Sequence, residues 1–507
     1  MKTKIVLSFI TVATLSTLNG AEFKPVGFKA VGLGGAGVAS TRGSLAGYYN
    51  PALLRFSDHT TELSINVGAR LRESNLIDNV DTLHKVDIDG TLANIGNAQS
   101  SSASQSDIDN LKIAQNTLAK IGTNNALQLS IVPAISAQIS DAFAVGIYVN
   151  ADVGMNLHLD KNYLDIIVTK DANSNNQIDS GDLFAEFDSN TGSYTSTDIG
   201  NYNSSSLQYG IDNQKHYIQV DAMALVELPI SYAKAYDTEI GTWSIGGNIK
   251  PMGLTTYSQK MDLGDSSDDA ENGSDKGEFE TKYKSTFGLD LGIAYRPTDS
   301  QVTFGLMGKN INSPKFKVDT TPSTNPQKDV TIDPLVRAGV SLPVWNDNVE
   351  FAFDADLTKN KTLVDGEESQ LIGGGFEFHP ASWFALRAGA MKDIASEKFD
   401  EGMIMSAGVG FGLKWLQFDL SAQMSSKKGE YDGQTIPRYA AVNLSLVSKW
   451  GDGYNRKEAP LTQEVAPETK KDEKIIEGEP LKTLSPEEQN RIKQESEKAM
   501  QELDKAL

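Results

Sequence analysis

From residue 403 to 425 every second side chain is of one kind. Met403, Met405, Ala407, Val409, Phe411 and Leu413 alternate with Ile404, Ser406, Gly408, Gly410 and Gly412. Then Leu416, Phe418, Leu420, Ala422 and Met424 alternate with Gln417, Asp419, Ser421, Gln423 and Ser425. Successive side chains on a strand point to opposite faces, so each stretch is a strand with one greasy face and one polar or glycine face. Val349, Phe351, Phe353, Ala355 and Leu357 repeat the pattern against Glu350, Ala352, Asp354 and Asp356. The same test marks about fourteen segments. They lie near 61–70, 127–139, 142–153, 218–232, 242–254, 285–296, 301–309, 335–344, 348–358, 369–379, 382–392, 402–413, 415–425 and 438–450. Most run roughly 10 to 13 residues, the length of a tilted membrane strand.

The connections sharpen this. Long ones at 71–126, 154–217, 255–284, 310–334, 359–368, 393–401 and 426–437 alternate with short ones such as Ser140-Asp141, Trp345-Asn346-Asp347, Pro380-Ala381 and Lys414. An antiparallel membrane barrel has tight turns at its periplasmic rim and long loops outside, which produces that rhythm. A soluble sandwich has no reason to keep it and would need a second sheet over every apolar face. Trp243, Trp345, Trp383, Trp415, Trp450, Tyr232 and Tyr295 stand at segment ends, where amphipathic rings sit at headgroup level. The expected fold is an all-β transmembrane antiparallel barrel of about fourteen strands, spanning 59–450.

The two ends differ from the middle. Lys2 and Lys4 precede an apolar stretch from Ile5 to Leu18, too short for a spanning helix, so 1–20 is expected to be an export signal. The tail 451–507 is rich in Glu, Lys and Pro and reads as a periplasmic linker. It closes on a helix, "LSPEEQNRIKQESEKAMQELDKAL", with Ser485, Pro486 and Glu488 as its capping signature. A second short helix, "SDIDNLKIAQNTLAKIG", is expected in loop 71–126 with Ser106 as its cap. The chain has no cysteine, which excludes disulfides and thiolate metal sites. Its net charge of -21 disfavours nucleic acid as a partner.

Between leader and first strand stands "VGLGGAGVASTRGSLAGYYNPALL". Gly32 to Gly37 spell G-x-G-x-x-G, and Asp58 stands near the distance of a ribose-binding acid. A dinucleotide fingerprint needs a parallel strand before and a helix after, and here the surroundings are a leader and antiparallel strands. Small size is the alternative use. Gly32, Gly34, Gly35 and Gly37 let the backbone thread a barrel lumen closely, and Asn50-Pro51 then sets a turn toward the first strand. Residues 21–58 are therefore expected to form a lumen hatch, with Gly32, Gly34, Gly35, Gly37, Asn50 and Pro51 in a gating role.

This stretch resembles the opening of the FadL superfamily of outer-membrane barrels, whose Gly/Ala-rich run ends in an N-P-A turn, here Asn50-Pro51-Ala52. It is more similar to the branch described as TraF-like, conjugal-transfer TraF proteins, with a G-G-A-G-V-A run at Gly34–Ala39 and then Tyr48-Tyr49-Asn50-Pro51-Ala52. The resemblance implies fourteen strands, an outer-membrane location among lipid, and passive uptake of a hydrophobic small molecule. The unrelated thioredoxin-like protein that shares the TraF name is excluded by the missing cysteines. The tail has no FadL counterpart. It keeps a second function open: a structural or assembly protein that anchors surface loops or holds a periplasmic protein partner through the tail.

One further motif carries chemistry. "DANSNNQIDSGD" places Asp171, Asn173, Asn175, Asp179 and Asp182 at positions 1, 3, 5, 9 and 12 of a calcium loop, with the Gln177 backbone at position 7. Ca2+ is the one cofactor expected. The histidines His59, His84, His158, His216 and His379 show no metal or triad spacing, so no enzyme is expected. Arg337, Asp354, Asp356, Arg387 and Asp419 fall on polar strand faces and are expected in the lumen.

Overall fold

The computed structural model describes residues 22–451, apart from 87–90, 92–103, 122–124, 176, 189–192, 263–282, 317–329, 346–347, 365, 414 and 432–433. The export signal and the tail beyond Gly451 lie outside the described residues.

Fifteen hydrogen-bonded segments close into one antiparallel barrel of fourteen staves. They are β1 Thr61–Glu73, β2 Ala126–Gln138, β3 Phe143–His158, β4 in two pieces (Tyr217–Glu227 and Ile230–Thr238), β5 Gly241–Asp262, β6 Lys284–Pro297 and β7 Thr303–Lys309. The others are β8 Leu335–Val344, β9 Val349–Asp356, β10 Leu371–Ala381, β11 Phe384–Asp393, β12 Ile404–Leu413, β13 Leu416–Ser425 and β14 Tyr439–Trp450. The last strand pairs with the first, from Thr61 opposite Trp450 to Arg72 opposite Tyr439. Closure leaves no sheet edge, which is what a bilayer demands of strands. No described helix is long and apolar enough to cross a membrane.

The alternation in sequence becomes inside and outside. On β1 Leu63, Ile65 and Val67 are 38 to 49 % exposed, while the intervening Ser64 and Asn66 are fully buried. In solution an outward belt of Ile, Leu, Phe and Met would be a liability; facing lipid tails it is the required surface. All five tryptophans sit at the short-turn rim, and Trp243 stacks on Tyr295 at 4.3 Å between ring centres.

Several features differ from expectation: β3 runs on to His158 and β5 to Asp262, into residues expected as long loops. β4 continues to Thr238 instead of stopping near 232. Pro229 has no N–H, so the ladder breaks there but resumes at once: Leu228 N–H donates to Pro251 O at 3.0 Å, and Pro229 O accepts from Gly146 N–H at 3.1 Å. β1 extends through Leu71-Arg72-Glu73, residues that read as loop. The loop helix runs Gln105–Lys120 and is capped by Ser104, whose hydroxyl accepts from the Asp107 N–H, rather than by Ser106. Ser106 is the second residue of the helix, within its first turn, so the free N–H groups fall opposite Ser104 instead.

Ordered structure also covers the long-loop rim. The helices Leu76–Val86 and Gln105–Lys120 share a core with Leu157, Leu207 and Ile211. A three-stranded sheet, Ile167–Lys170, Leu183–Asp188 and Ser193–Thr197, stands beside them.

Candidate functional site

Residues 22–58 lie inside the barrel and are buried almost throughout. They form a short helix Phe28–Gly32, a 3-10 turn Gly43–Leu45, a helical turn Ala46–Tyr49 and a 3-10 helix Pro51–Phe56. This plug has a small core of its own. Phe23, Tyr48 and Tyr49 pack ring against ring at 5.2 to 5.6 Å. The Tyr48 hydroxyl donates to Lys24 O at 2.7 Å, and the Tyr49 hydroxyl donates to Val26 O at 2.8 Å. Two adjacent tyrosines thus strap residues 22–26 to the far end of the plug.

The wall holds the plug by polar contacts. Ser406 Oγ accepts from Gly34 N–H and donates to Gly32 O, both at 3.0 Å. Arg337 donates to Gly35 O at 3.0 Å. Asp354 accepts from the N–H groups of Gly37 and Val38 at 2.7 and 2.9 Å. Gly34 sits against wall backbone at φ +64°, where a Cβ would overlap the Ala390 carbonyl. Asn50 ties three segments: its amide donates to Val38 O and Ile293 O, each at 3.0 Å, and its carbonyl oxygen accepts from Ala52 N–H at 3.1 Å. Pro51 opens the 3-10 helix, where its missing N–H costs nothing.

Buried ion pairs surround this core. Arg72 reaches Glu401 at 2.5 Å, Glu22 at 3.2 Å and Asp393 at 3.3 Å, and its guanidinium lies 4.2 Å over the Phe399 ring. Lys24 meets Asp152 at 2.5 Å. Arg337 meets Asp356 at 2.7 Å and Asp354 at 3.2 Å. Arg387 meets Asp419 at 2.7 Å and Glu377 at 2.8 Å. The five polar-face residues singled out in sequence are thus buried in the lumen, paired with one another or with Glu377. Glu22, Lys24, Arg72 and Asp152 were not singled out. Arg70 and Arg72, two charges spaced two apart at the end of an alternating strand, were the available signal.

Toward the long loops the lining changes. Met223, Leu225, Met252 and Leu254 occupy the inward face of β4 and β5, just beyond the Glu227–Lys250 pair, which is 2.5 Å long. Phe316, Val330, Ile332 and Leu363 descend from the loops to cover them.

The family model described as "F plasmid transfer operon, TraF, protein" matches residues 47–357, more than half the chain. The chain belongs to that family. Within the TraF match fall Asn50-Pro51, the apolar lining and the Arg337–Asp354–Asp356 cluster. No curated protein sequence matches the chain. Similar solved structures include the Ralstonia pickettii toluene transporter TbuX, at 13 % identity over 85 % of this chain and 99 % of that one, TM-score 0.40. They also include the CymD monoaromatic hydrocarbon channel, at 11 % identity over 85 % and 98 %, TM-score 0.43. A Pseudomonas aeruginosa FadL homologue is 13 % identical over 84 % and 99 %, TM-score 0.39.

In this TraF-family barrel the loop 171–182 lies on the long-loop side, between two strands of the small surface sheet. Its side-chain oxygens are engaged by donors of the loop itself. Asp179 accepts from the side-chain amides of Asn173 and Asn175 at 3.0 and 2.7 Å, and Asp182 accepts from the N–H groups of Ala172 and Asp179 at 3.1 and 2.9 Å. Asp171 accepts from Ser174 N–H at 2.5 Å, and Gln177 N–H donates to the Asn175 side chain at 2.7 Å. The Gly181 N–H, ahead of the Asn175 amide, holds the Asp179 carboxyl below its ordinary value. Among the described residues no three His, Cys, Asp or Glu side chains gather to hold a metal ion. His216 is a structural residue, buried with Nε2 2.7 Å from Tyr163 O.

Proposed function

We propose that the chain is an outer-membrane barrel for passive uptake of a hydrophobic small molecule, with residues 22–58 as the gate. The apolar lining formed by Met223, Leu225, Met252 and Leu254 carries this reading. A water-filled porin has a polar bore, whereas this lumen is greasy where a ligand would enter from the loop side. The molecule would partition into that lining and then meet the plug, whose polar contacts can be exchanged for water as the plug shifts. Gly32, Gly34, Gly35, Gly37, Asn50 and Pro51 would set how tightly the gate fits.

The test uses liposomes whose outer leaflet carries lipopolysaccharide and a fluorescent aromatic hydrocarbon as probe. Barrel-containing liposomes should admit it severalfold faster than empty ones, and Leu225→Asp should remove most of the gain. Equal rates with and without the barrel would count against transport. They would favour the second function, an anchor for surface loops or a periplasmic partner, a reading supported by how completely the plug is bound to the wall.

We also propose weak calcium binding by the loop 171–182, on the strength of its oxygen ligands at positions 1, 3, 5, 7, 9 and 12. Calorimetric titration of the barrel with Ca2+ should give heat that Asp171→Ala abolishes. Wild-type protein that gives no calcium-dependent heat would end the proposal.

A further inference from the structure

On the short-turn side of the plug the structure forms a half-open cavity of ≈310 Å³. Lys29, Thr41 and Arg42 reach it from the plug, and Glu350, Glu377 and Arg387 from the wall. Its acids are already engaged. Glu350 and Glu377 hold Lys29 at 2.7 and 3.1 Å, and Glu377 and Asp419 each take one nitrogen of Arg387. Glu62 accepts from the N–H and hydroxyl of Ser44 at 2.9 and 2.8 Å.

What remains unspent is donors. Among the described residues, Nη2 of Arg387, Nε and Nη2 of Arg42 and the hydroxyl of Thr41 have no hydrogen-bond partner. Arg387 is only 3 % exposed and Thr41 4 %. Arg42 lies 3.9 Å from the Asp58 carboxylate and also feels the charge of Glu350. Leaving a buried donor unmade is costly, and more so when the donor is charged. Native proteins place such groups where a ligand or ordered water completes them.

The residues that carry the unspent groups all line one cavity, two from the plug and one from the wall. A partner that satisfies them has to offer acceptors only, and the planar guanidinium fork fits a carboxylate or phosphate. Val26, Ala30, Leu45 and Pro343 line the same space with apolar surface, which suits a small organic body. We infer that this cavity binds a small organic oxyanion, held by Thr41 and Arg42 of the plug and Arg387 of the wall. Such a ligand cross-links plug to wall from the periplasmic side, so its binding keeps the lumen closed. The site is separate from the apolar lining and takes a different class of molecule.

The experiment is calorimetry on the full-length barrel in detergent, in a buffer free of other oxyanions, with sodium benzoate and inorganic phosphate as separate titrants. Saturable binding of at least one is expected. Benzoate alone would name the carboxylate as the shared chemistry's source, phosphate alone the phosphate. Arg42→Gln and Thr41→Val should each weaken binding, the former about tenfold or more because a charged donor is lost. Heat-modifiable gel mobility checks that each variant is folded, and Arg387→Lys keeps a charge beside Glu377 while removing the orphan nitrogen. Binding of neither anion would overturn the inference, as would wild-type affinity in both Arg42→Gln and Thr41→Val; water alone would then complete the donors. The titration reads binding without transport, so it stands or falls apart from the uptake proposal.

Discussion

Arg72→Ala should destabilise the folded barrel by about 3–5 kcal/mol, the usual cost of leaving buried charges without their partner. Arg72 is 1 % exposed and is shared by Glu22, Asp393 and Glu401, with Glu367 at 3.9 Å. Removing it leaves four acids from three parts of the chain facing one another in a space that excludes water. The readout is urea denaturation followed by heat-modifiable gel mobility. Arg72→Lys should recover only part of the loss, because an ammonium cannot serve three carboxylates with a planar fork. An unchanged denaturation midpoint in Arg72→Ala would show that the acids find other partners.

Acid should weaken the same anchor. Burial by itself pushes the Glu22 carboxyl up, but Arg70, Arg72 and Lys24 outweigh it and hold the group far below its ordinary value of 4.5. A carboxyl depressed on folding adds stability that is complete above its unfolded value and is lost as the pH falls through its folded one. Attachment of the N-terminal residues should therefore loosen as the pH drops below about 4.5. Arg72→Ala should blunt that dependence.

Gly34→Val is expected to open the lumen. Gly34 combines a left-handed backbone with direct contact to wall backbone at Ala390 and Gly374, so a branched side chain meets strain and overlap together. The wall strands are locked by ladders on both sides, and the plug is not, so the plug is the part that yields. Planar-bilayer recordings should show wild-type protein nearly silent and Gly34→Val conducting. A silent variant would mean that something other than residues 22–58 closes the bore.

How far the sequence foretold this depends on the range of the interaction. The staves were legible because lipid outside and polar groups inside impose a period of two at every strand. β4 was cut short at 232 because Pro229 is a local warning whose remedy, the carbonyl pairing with Gly146, lies on another strand. Arg72 read as loop because its three acids stand 50, 321 and 329 residues away. The glycine run was legible as thin chain, since that follows from steric size alone. Its docking on Ser406, Arg337 and Asp354 was not, and neither was the bracing of Lys24 and Val26 by Tyr48 and Tyr49. The orphan donors of Thr41, Arg42 and Arg387 were invisible for the same reason: a missing partner shows only once every neighbour is in place.

The wall contacts of the plug also set an order of events. Residues 32–38 leave the ribosome first, yet the groups that receive them belong to β8, β9 and β12, roughly 300 to 370 positions later. β1, directly behind the plug, has to wait for β14 before the circle shuts. Glu22, Lys24, Ser44 and Gly47 can dock on β1, β3 and β5 early, whereas residues 32–38 have their wall partners only once β12 exists. A wall stalled short of β12 would leave residues 32–38 without the groups that hold them and open to proteases, so quality control could discard the unfinished product by that unclaimed stretch.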